Sequence, residues 1–244
     1  MKQFYTIIFV LLLVSCGQEK SVLLPEIENA KITEILDVSP AYLFYDDTQP
    51  DSLELNRKNL IGTTNWLFNV DKRLTLKQAI PKIKFLQEKK RNAQMHKNEN
   101  AKNYYTCNDT SIKNLGFIEF TDIHYWDEKA TDFYKKSSDL TFVGRHRIYI
   151  DFIDENQISV NIMELPIDNE SMDLKSIVKN TNFSFKEYTT IEFSNFLKSF
   201  KKTPTIVHCS FNKKLTFQNY ISFKSLIEKF EIEGVEIDNN EFIY

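Results

Sequence analysis

Apolar and polar positions alternate with period two in some stretches of this chain and recur with helical period in others. Residues 41–45, 65–70, 104–107 and 115–125 read as strands in the first half. Residues 147–153 and 158–162 alternate around an Asp154-Glu155-Asn156-Gln157 turn, which predicts a hairpin. Residues 205–211 read as a buried strand, and 235–243 predict a last strand around an Asp238-Asn239-Asn240 turn. Helical period appears at 74–90, where Leu76, Ala79, Ile80, Ile83 and Leu86 share a face. It returns at 190–202, ended by Pro204, and at 216–230. Thr75 and Gln78 have capping-box spacing, and Pro81 predicts a kink. The expected class is α+β: two related halves, each a small mixed β-sheet with helices packed on one face.

The halves are related by a repeat. Residues 71–80 align without gaps on 212–221, so that Lys72, Leu74, Thr75 and Ile80 recur as Lys213, Leu215, Thr216 and Ile221. Each copy reads as a strand, a polar turn, an apolar residue entering the core, a Thr cap and a helix. The divisions that follow are a leader at 1–15, a tether at 16–30, an N-terminal half at 31–126, a linker at 127–144 and a C-terminal domain at 145–244.

The leader has its own pattern. Lys2 precedes an apolar run from Phe4 to Val14 that is too short for a membrane span, which needs ~20 residues, and that matches the core of a secretory signal. The run ends in Leu13-Val14-Ser15-Cys16-Gly17, which resembles a bacterial lipobox. That resemblance implies a diacylglycerol thioether on Cys16, cleavage before it and acylation of the new terminus, with the chain held in the bacterial cell envelope facing the periplasm or the exterior. An exported chain meets an oxidising compartment, so Cys107 and Cys209 could pair. The strand pattern around Cys209 favours two separate buried thiols.

The second copy of the repeat, with Asn212, Lys213, Leu215, Thr216 and Phe217 followed by Leu226, Ile227 and a strand at Val235, resembles the periplasmic domain of the ExbD/TolR family. Asp71 supplies that family's acid in the first copy, and Leu24-Pro25-Glu26 resembles its leucine–proline connector. The resemblance covers residues 145–244 and implies a domain that dimerises or docks on envelope proteins. Residues 1–15 carry no Asp or Glu, so the family's membrane carboxylate and its proton coupling are not carried over.

Composition narrows the chemistry. Five glycines, none closely spaced, leave no phosphate-cradling loop. Thirty-one basic and 34 acidic residues give a net charge of −3, without the field that attracts nucleic acid. Asp122 and His124 could share a strand face but lack further ligands for a metal. Arg145-His146-Arg147 could grip an anionic group, although two arginines beside a loop are more often solvated, and no hydrolase or metalloprotease motif occurs. No cofactor and no enzymatic role are expected. The leading reading is an envelope lipoprotein with a binding or scaffolding role, anchored at Cys16 and engaging a second copy or an envelope protein through a strand edge at Val235, Ile237 and Phe242. A second reading is a small-ligand module with an aromatic cleft at Trp66, Tyr104, Tyr105 and Trp126. A third is a hydrolase with dispersed site residues.

Overall fold

The repeated strand–turn–helix unit organises the computed structural model, which describes residues 20–93, 98–136, 146–163, 182–199, 205–229 and 234–244. The strands are β1 (Glu26–Ile27), β2 (Val38–Tyr45), β3 (Leu53–Asn56), β4 (Asn65–Val70), β5 (Asn103–Asp109), β6 (Asn114–Glu119), β7 (His124–Trp126), β8 (His146–Phe152), β9 (Ile158–Met163), β10 (Lys186–Tyr188), β11 (Thr205–Phe211) and β12 (Val235–Ile243). The helices are α1 (Leu76–Arg91), α2 (Ala130–Lys136), α3 (Thr190–Ser199) and α4 (Phe217–Glu228). They build two mixed six-stranded sheets, an α+β architecture in two halves as the pattern predicts.

The two sheets repeat one topology. In the first, β3 pairs antiparallel with β2, β2 runs parallel to β4, and β4 leads through α1 to parallel β5. In the second, β9 pairs antiparallel with β8, β8 runs parallel to β11, and β11 leads through α4 to parallel β12. Each sheet then gains strands of its own: β6 and β1 flank β5, β7 flanks β12, and β10 flanks β9.

The copies meet at the repeat itself. Leu76 N–H donates to the Leu215 carbonyl at 2.9 Å, and Phe217 N–H donates to the Leu74 carbonyl at 2.7 Å. One step outward, Lys77 donates to Lys213 at 2.9 Å and Gln218 to Lys72 at 3.2 Å. Thr75 and Thr216 face each other as an antiparallel bridge. Equivalent residues exchange equivalent bonds, so the halves are related by a local two-fold axis through the two helix caps. The N–H groups of a helix's first turn lack partners within the helix. Here Leu76, Lys77, Phe217 and Gln218 find theirs across the seam. Gln78 Oε1 accepts from Thr75 N–H at 2.8 Å, completing the expected cap, and Thr216 Oγ1 accepts from Asn219 N–H at 3.2 Å.

A single apolar core runs through the seam. α4 lies between the sheets: Tyr220 sets its ring against Phe211 of the second sheet at 5.0 Å and against Tyr105 of the first at 6.1 Å. Phe217, Tyr220, Ile221, Phe223 and Ile227 are buried, each contributing ~1.5–3 kcal/mol. Phe230, expected on the same face, lies outside the described residues. α1 covers the first sheet and ties to the approach of β7, since Arg91 Nη2 donates to the Thr121 and Ile123 carbonyls, both at 2.8 Å. Pro81 sits inside α1 on its exposed side, where water can satisfy the Lys77 carbonyl that the missing N–H leaves open.

Several segments differ from their sequence reading. Residues 115–125, read as one strand, divide into β6 and β7, and β7 joins the second sheet. The stretch 127–144, expected as a linker, contains α2, whose Ala130 and Tyr134 pack with Tyr149, Met163 and Phe242 into a second cluster on the outer face of the second sheet; 137–144 lie outside the described residues. The expected tether is docked from Lys20 onward. Leu23 exchanges bonds with Asp71 and Lys72, and the Pro25 carbonyl accepts from Asn108 at 2.8 Å. Glu26 and Gln218 bond reciprocally, and Lys31 donates to the Glu228 carbonyl at 2.9 Å. Residues 20–31 therefore form a strap bonded to both halves.

Candidate functional site

The expected aromatic cleft does not assemble. Tyr105 lies in the core, stacked on Phe120 with ring centroids 3.8 Å apart. Tyr104, its neighbour in β5, points to the opposite sheet face, as strand alternation requires. Trp66 is buried under α1, its Nε1 donating to the Ile61 carbonyl at 2.7 Å and its ring carrying the Lys90 ammonium at 5.0 Å. Trp126 is 40 % exposed and belongs to the second sheet.

The expected binding edge is also altered. β12 pairs with β11 on one side and, at Asn240, Glu241 and Phe242, with β7 on the other. Phe242 is wholly buried under α2, whereas Ile237 is 41 % exposed, beyond the reach of β7. Val235 is half-buried, two residues before it. Cys16 and the leader lie outside the described residues. Cys107 and Cys209 are free and buried, and burial pushes both thiols up.

Two polar clusters assemble instead, both from distant parts of the chain. The first lies in the seam. Tyr105 and Tyr125 share a hydrogen bond of 2.5 Å between hydroxyls, and Tyr125 and Tyr220 one of 3.2 Å. Tyr220 donates to Glu241, which also takes the Lys224 ammonium. Burial pushes the three phenols up, so they stay protonated and serve as donors. The chain of bonds starts in β5, passes β7 and α4 and ends in β12, so it joins the two sheets.

The second cluster sits on the outer face of the second sheet. His208 in β11 donates through Nδ1 to Asp238 Oδ2 at 2.7 Å, and the Tyr134 hydroxyl donates to the same oxygen at 2.5 Å. An ionised carboxylate only accepts, which fixes the histidine proton on Nδ1. Asn240 donates to the other oxygen through its N–H at 2.9 Å and its amide at 3.0 Å. Trp126 Nε1 donates to Asn240 Oδ1 at 2.8 Å, so this tryptophan braces the site from outside. Burial raises the Asp238 pKa, but its bonds to His208, Tyr134 and Asn240 outweigh that and hold it below the usual carboxylate range. Burial pushes His208 down and keeps it neutral, against the opposing pull of Asp238. Arg147 completes the group, its guanidinium 5.3 Å from the Tyr134 ring centroid, and Tyr149 stacks on His208 at 5.0 Å.

Of this cluster the sequence reading singles out only Trp126, as part of an aromatic cleft, and Arg147, in a basic trio that could grip an anion. Arg147 read as solvated, yet it is 2 % exposed. Asp238 read as a turn residue, whereas it begins an irregular stretch of β12. The legible signal was alternation, which sends His208 and Cys209 to opposite faces. Asp122 and His124 gather no further ligands, and His124 Nδ1 lies 3.3 Å from the Arg91 guanidinium, whose charge repels a cation. Among the described residues no group of three His, Cys, Asp or Glu side chains could hold a metal.

Compared with known proteins, the chain matches no family model, no curated sequence and no solved structure.

Proposed function

We propose that this protein is an envelope lipoprotein, anchored through lipid on Cys16, whose body serves as a binding or scaffolding element held close against a membrane. The observation that carries this reading is the strap. Lys20 is bonded to Asp46 at 2.6 Å and to Glu54, and the residues after it are bonded to both halves. The four residues from Cys16 to Lys20 reach at most ~14 Å when fully extended. An acylated Cys16 would thus hold the β2–β3 turn and the start of the strap near the bilayer surface instead of letting the body range on a long leash. The Tyr105–Glu241 chain of bonds supports the same reading, because it spends titratable groups on joining the halves. The ExbD/TolR-like turns are the segments that meet at the two-fold seam, so they are occupied by each other. On this reading the chain is a tandem pair within one polypeptide, with its outer faces left for other partners.

The test is mass spectrometry of the N-terminal peptide from membrane extracts, together with fractionation of Cys16→Ala. The expected result is a diacylglyceryl, N-acylated Cys16, and a variant that becomes soluble or accumulates uncut. An unmodified Cys16, or full membrane retention of the processed variant, would overturn the anchor.

A further inference from the structure

The internal repeat supplies its own control for the polar cluster. Aligning the two turns carries β4 onto β11, and strand register then carries β2 onto β8 and β5 onto β12. His208 falls on Leu67, Tyr149 on Pro40 and Arg147 on Val38, whereas Asp238 lies in the irregular stretch of β12 that has no counterpart in β5. Pro40 pairs with Leu67 as Tyr149 pairs with His208, and Val38 with Asn65 as Arg147 with Ile206. One copy of the fold thus fills these three positions with apolar residues, so the architecture does not require a histidine and an arginine there. The distribution is also inverted with respect to burial. The apolar set lies on a face where Val38 is exposed, and the polar set is sealed beneath α2. Burying polar groups opposes folding unless they are bonded; the groups around Asp238 are bonded, so the buried groups that call for a partner are those left without one.

Two further observations point to a ligand. The Arg147 Nε, the Tyr149 hydroxyl and Asn161 Oδ1 make no hydrogen bond, although the three residues are 2 %, 0 % and 6 % exposed; the Arg147 guanidinium lies close enough to the Tyr149 hydroxyl to oppose the effect of burial on that phenol, but not in bonding geometry. Buried groups of this kind are nearly always paired in folded proteins. They are also neighbours: Tyr149 lies directly opposite Asn161 on β9, and Arg147 is two residues along β8 on the same face. Asn161 Nδ2 donates to the Ser184 carbonyl at 2.6 Å, which fixes its amide plane. In addition, β12 takes four steps from Ile237 to Glu241 where β11 takes two from Val207 to Cys209. Irregularities of this kind recur beside functional sites, where they re-aim side chains, here Asp238.

We propose that this face binds a small hydroxylated oxyanion, a carboxylate or phosphate on a molecule of polyol size. The anionic group accepts from Arg147 and Tyr149, and a neighbouring hydroxyl donates to Asn161. The His208–Asp238–Tyr134 set fixes the floor and wall of the site. The Phe183 ring packs edge-on against Tyr149 at 4.9 Å and borders the site. The proposal is independent of the lipid anchor.

The test uses the full chain in detergent, whatever the state of Cys16. Inorganic phosphate, acetate, glycerate and glycerol 3-phosphate are titrated by calorimetry and thermal melting, with glycerol as the neutral control. The two hydroxylated anions should raise the melting temperature by several degrees at saturation, since a ligand that binds only the folded state stabilises it. Glycerol should not. Tyr149→Phe, which removes one hydroxyl, should weaken binding by about tenfold. Arg147→Val, which installs the residue of the first copy, should abolish binding and melt at or above the wild-type temperature. Should Arg147→Val fail to fold, Tyr149→Phe decides alone. A preference for phosphate or for carboxylate names the anion. No shift with any anion, or undiminished binding by Tyr149→Phe, would overturn the site.

Discussion

At the residue scale, Gly116 and Asp109 hold the strap to the first sheet. A Cβ on Gly116 would stand 2.5 Å from the Ala30 Cβ and 3.0 Å from Ile27 Cδ1, so the strap crosses β6 where a side chain is missing. Gly116→Val is expected to lift residues 26–31 and to cost about 1–3 kcal/mol, as overpacking does. Faster hydrogen exchange confined to the strap would show it, and unchanged exchange there would refute it. Asp109 accepts from Ser111 Oγ at 2.6 Å, from Ala30 N–H at 2.7 Å and from Ser111 N–H at 2.9 Å. These bonds, the Ser111 hydroxyl foremost, hold its carboxyl down at about 2. Its folded value is thus below that of an unfolded aspartate, ~3.9. The ionised form therefore stabilises the fold above about pH 4, and that contribution is lost as pH falls toward 2. Strap protection, corrected for intrinsic exchange, should decline through this window, and Asp109→Asn should flatten the decline.

At the scale of elements, α1 shows how local rules and context divide the work. Its apolar period, Thr75 cap and C-terminal Lys89, Lys90 and Arg91 are all features of a helix, and it forms in spite of Pro81. The proline removes one bond on the exposed side, while Ala79, Ile80, Ile83 and Leu86 remain buried around it. Pro81→Ala should therefore raise stability by about 1–3 kcal/mol with no change in activity or packing. Denaturant titration would detect the gain, and a loss would mean that the ring itself carries packing. The strands β4 and β11 are legible to the residue, because each runs into a polar turn and a Thr-capped helix. β1, β3, β10 and α2 are not. Each is short; β3 folds back on β2, and β1, β10 and α2 take their stability from neighbours distant in sequence, as β1 does from Asn108 and Asp109 and α2 from Asp238 and Ser210.

At the scale of the whole molecule, the two halves share one core and exchange backbone bonds across the seam, so they should unfold together. A single coincident transition by fluorescence and circular dichroism is expected, and Glu241→Gln should shift it as a unit. That substitution leaves the Lys224 ammonium buried without its charge partner, a loss of roughly 3–5 kcal/mol in comparable settings. Two resolved transitions, with only the second half moved by Glu241→Gln, would mean that the halves fold independently.

Local information in the chain was enough to determine the α+β class, the repeated strand–turn–helix unit, the Thr caps and the inward faces of α1 and α4. All of these rest on contacts between residues close in sequence, and periodicity reports such contacts directly. The two-fold meeting of the repeats, the docking of the strap and the insertion of β7 beside β12 were decided only by tertiary structure. So was the gathering of Tyr134, Arg147, Tyr149, His208 and Asp238. These residues come from four separate elements. Each looks ordinary where it stands, and a buried polar group declares itself only when the partners that bond it, and the sheet that hides it, are in place.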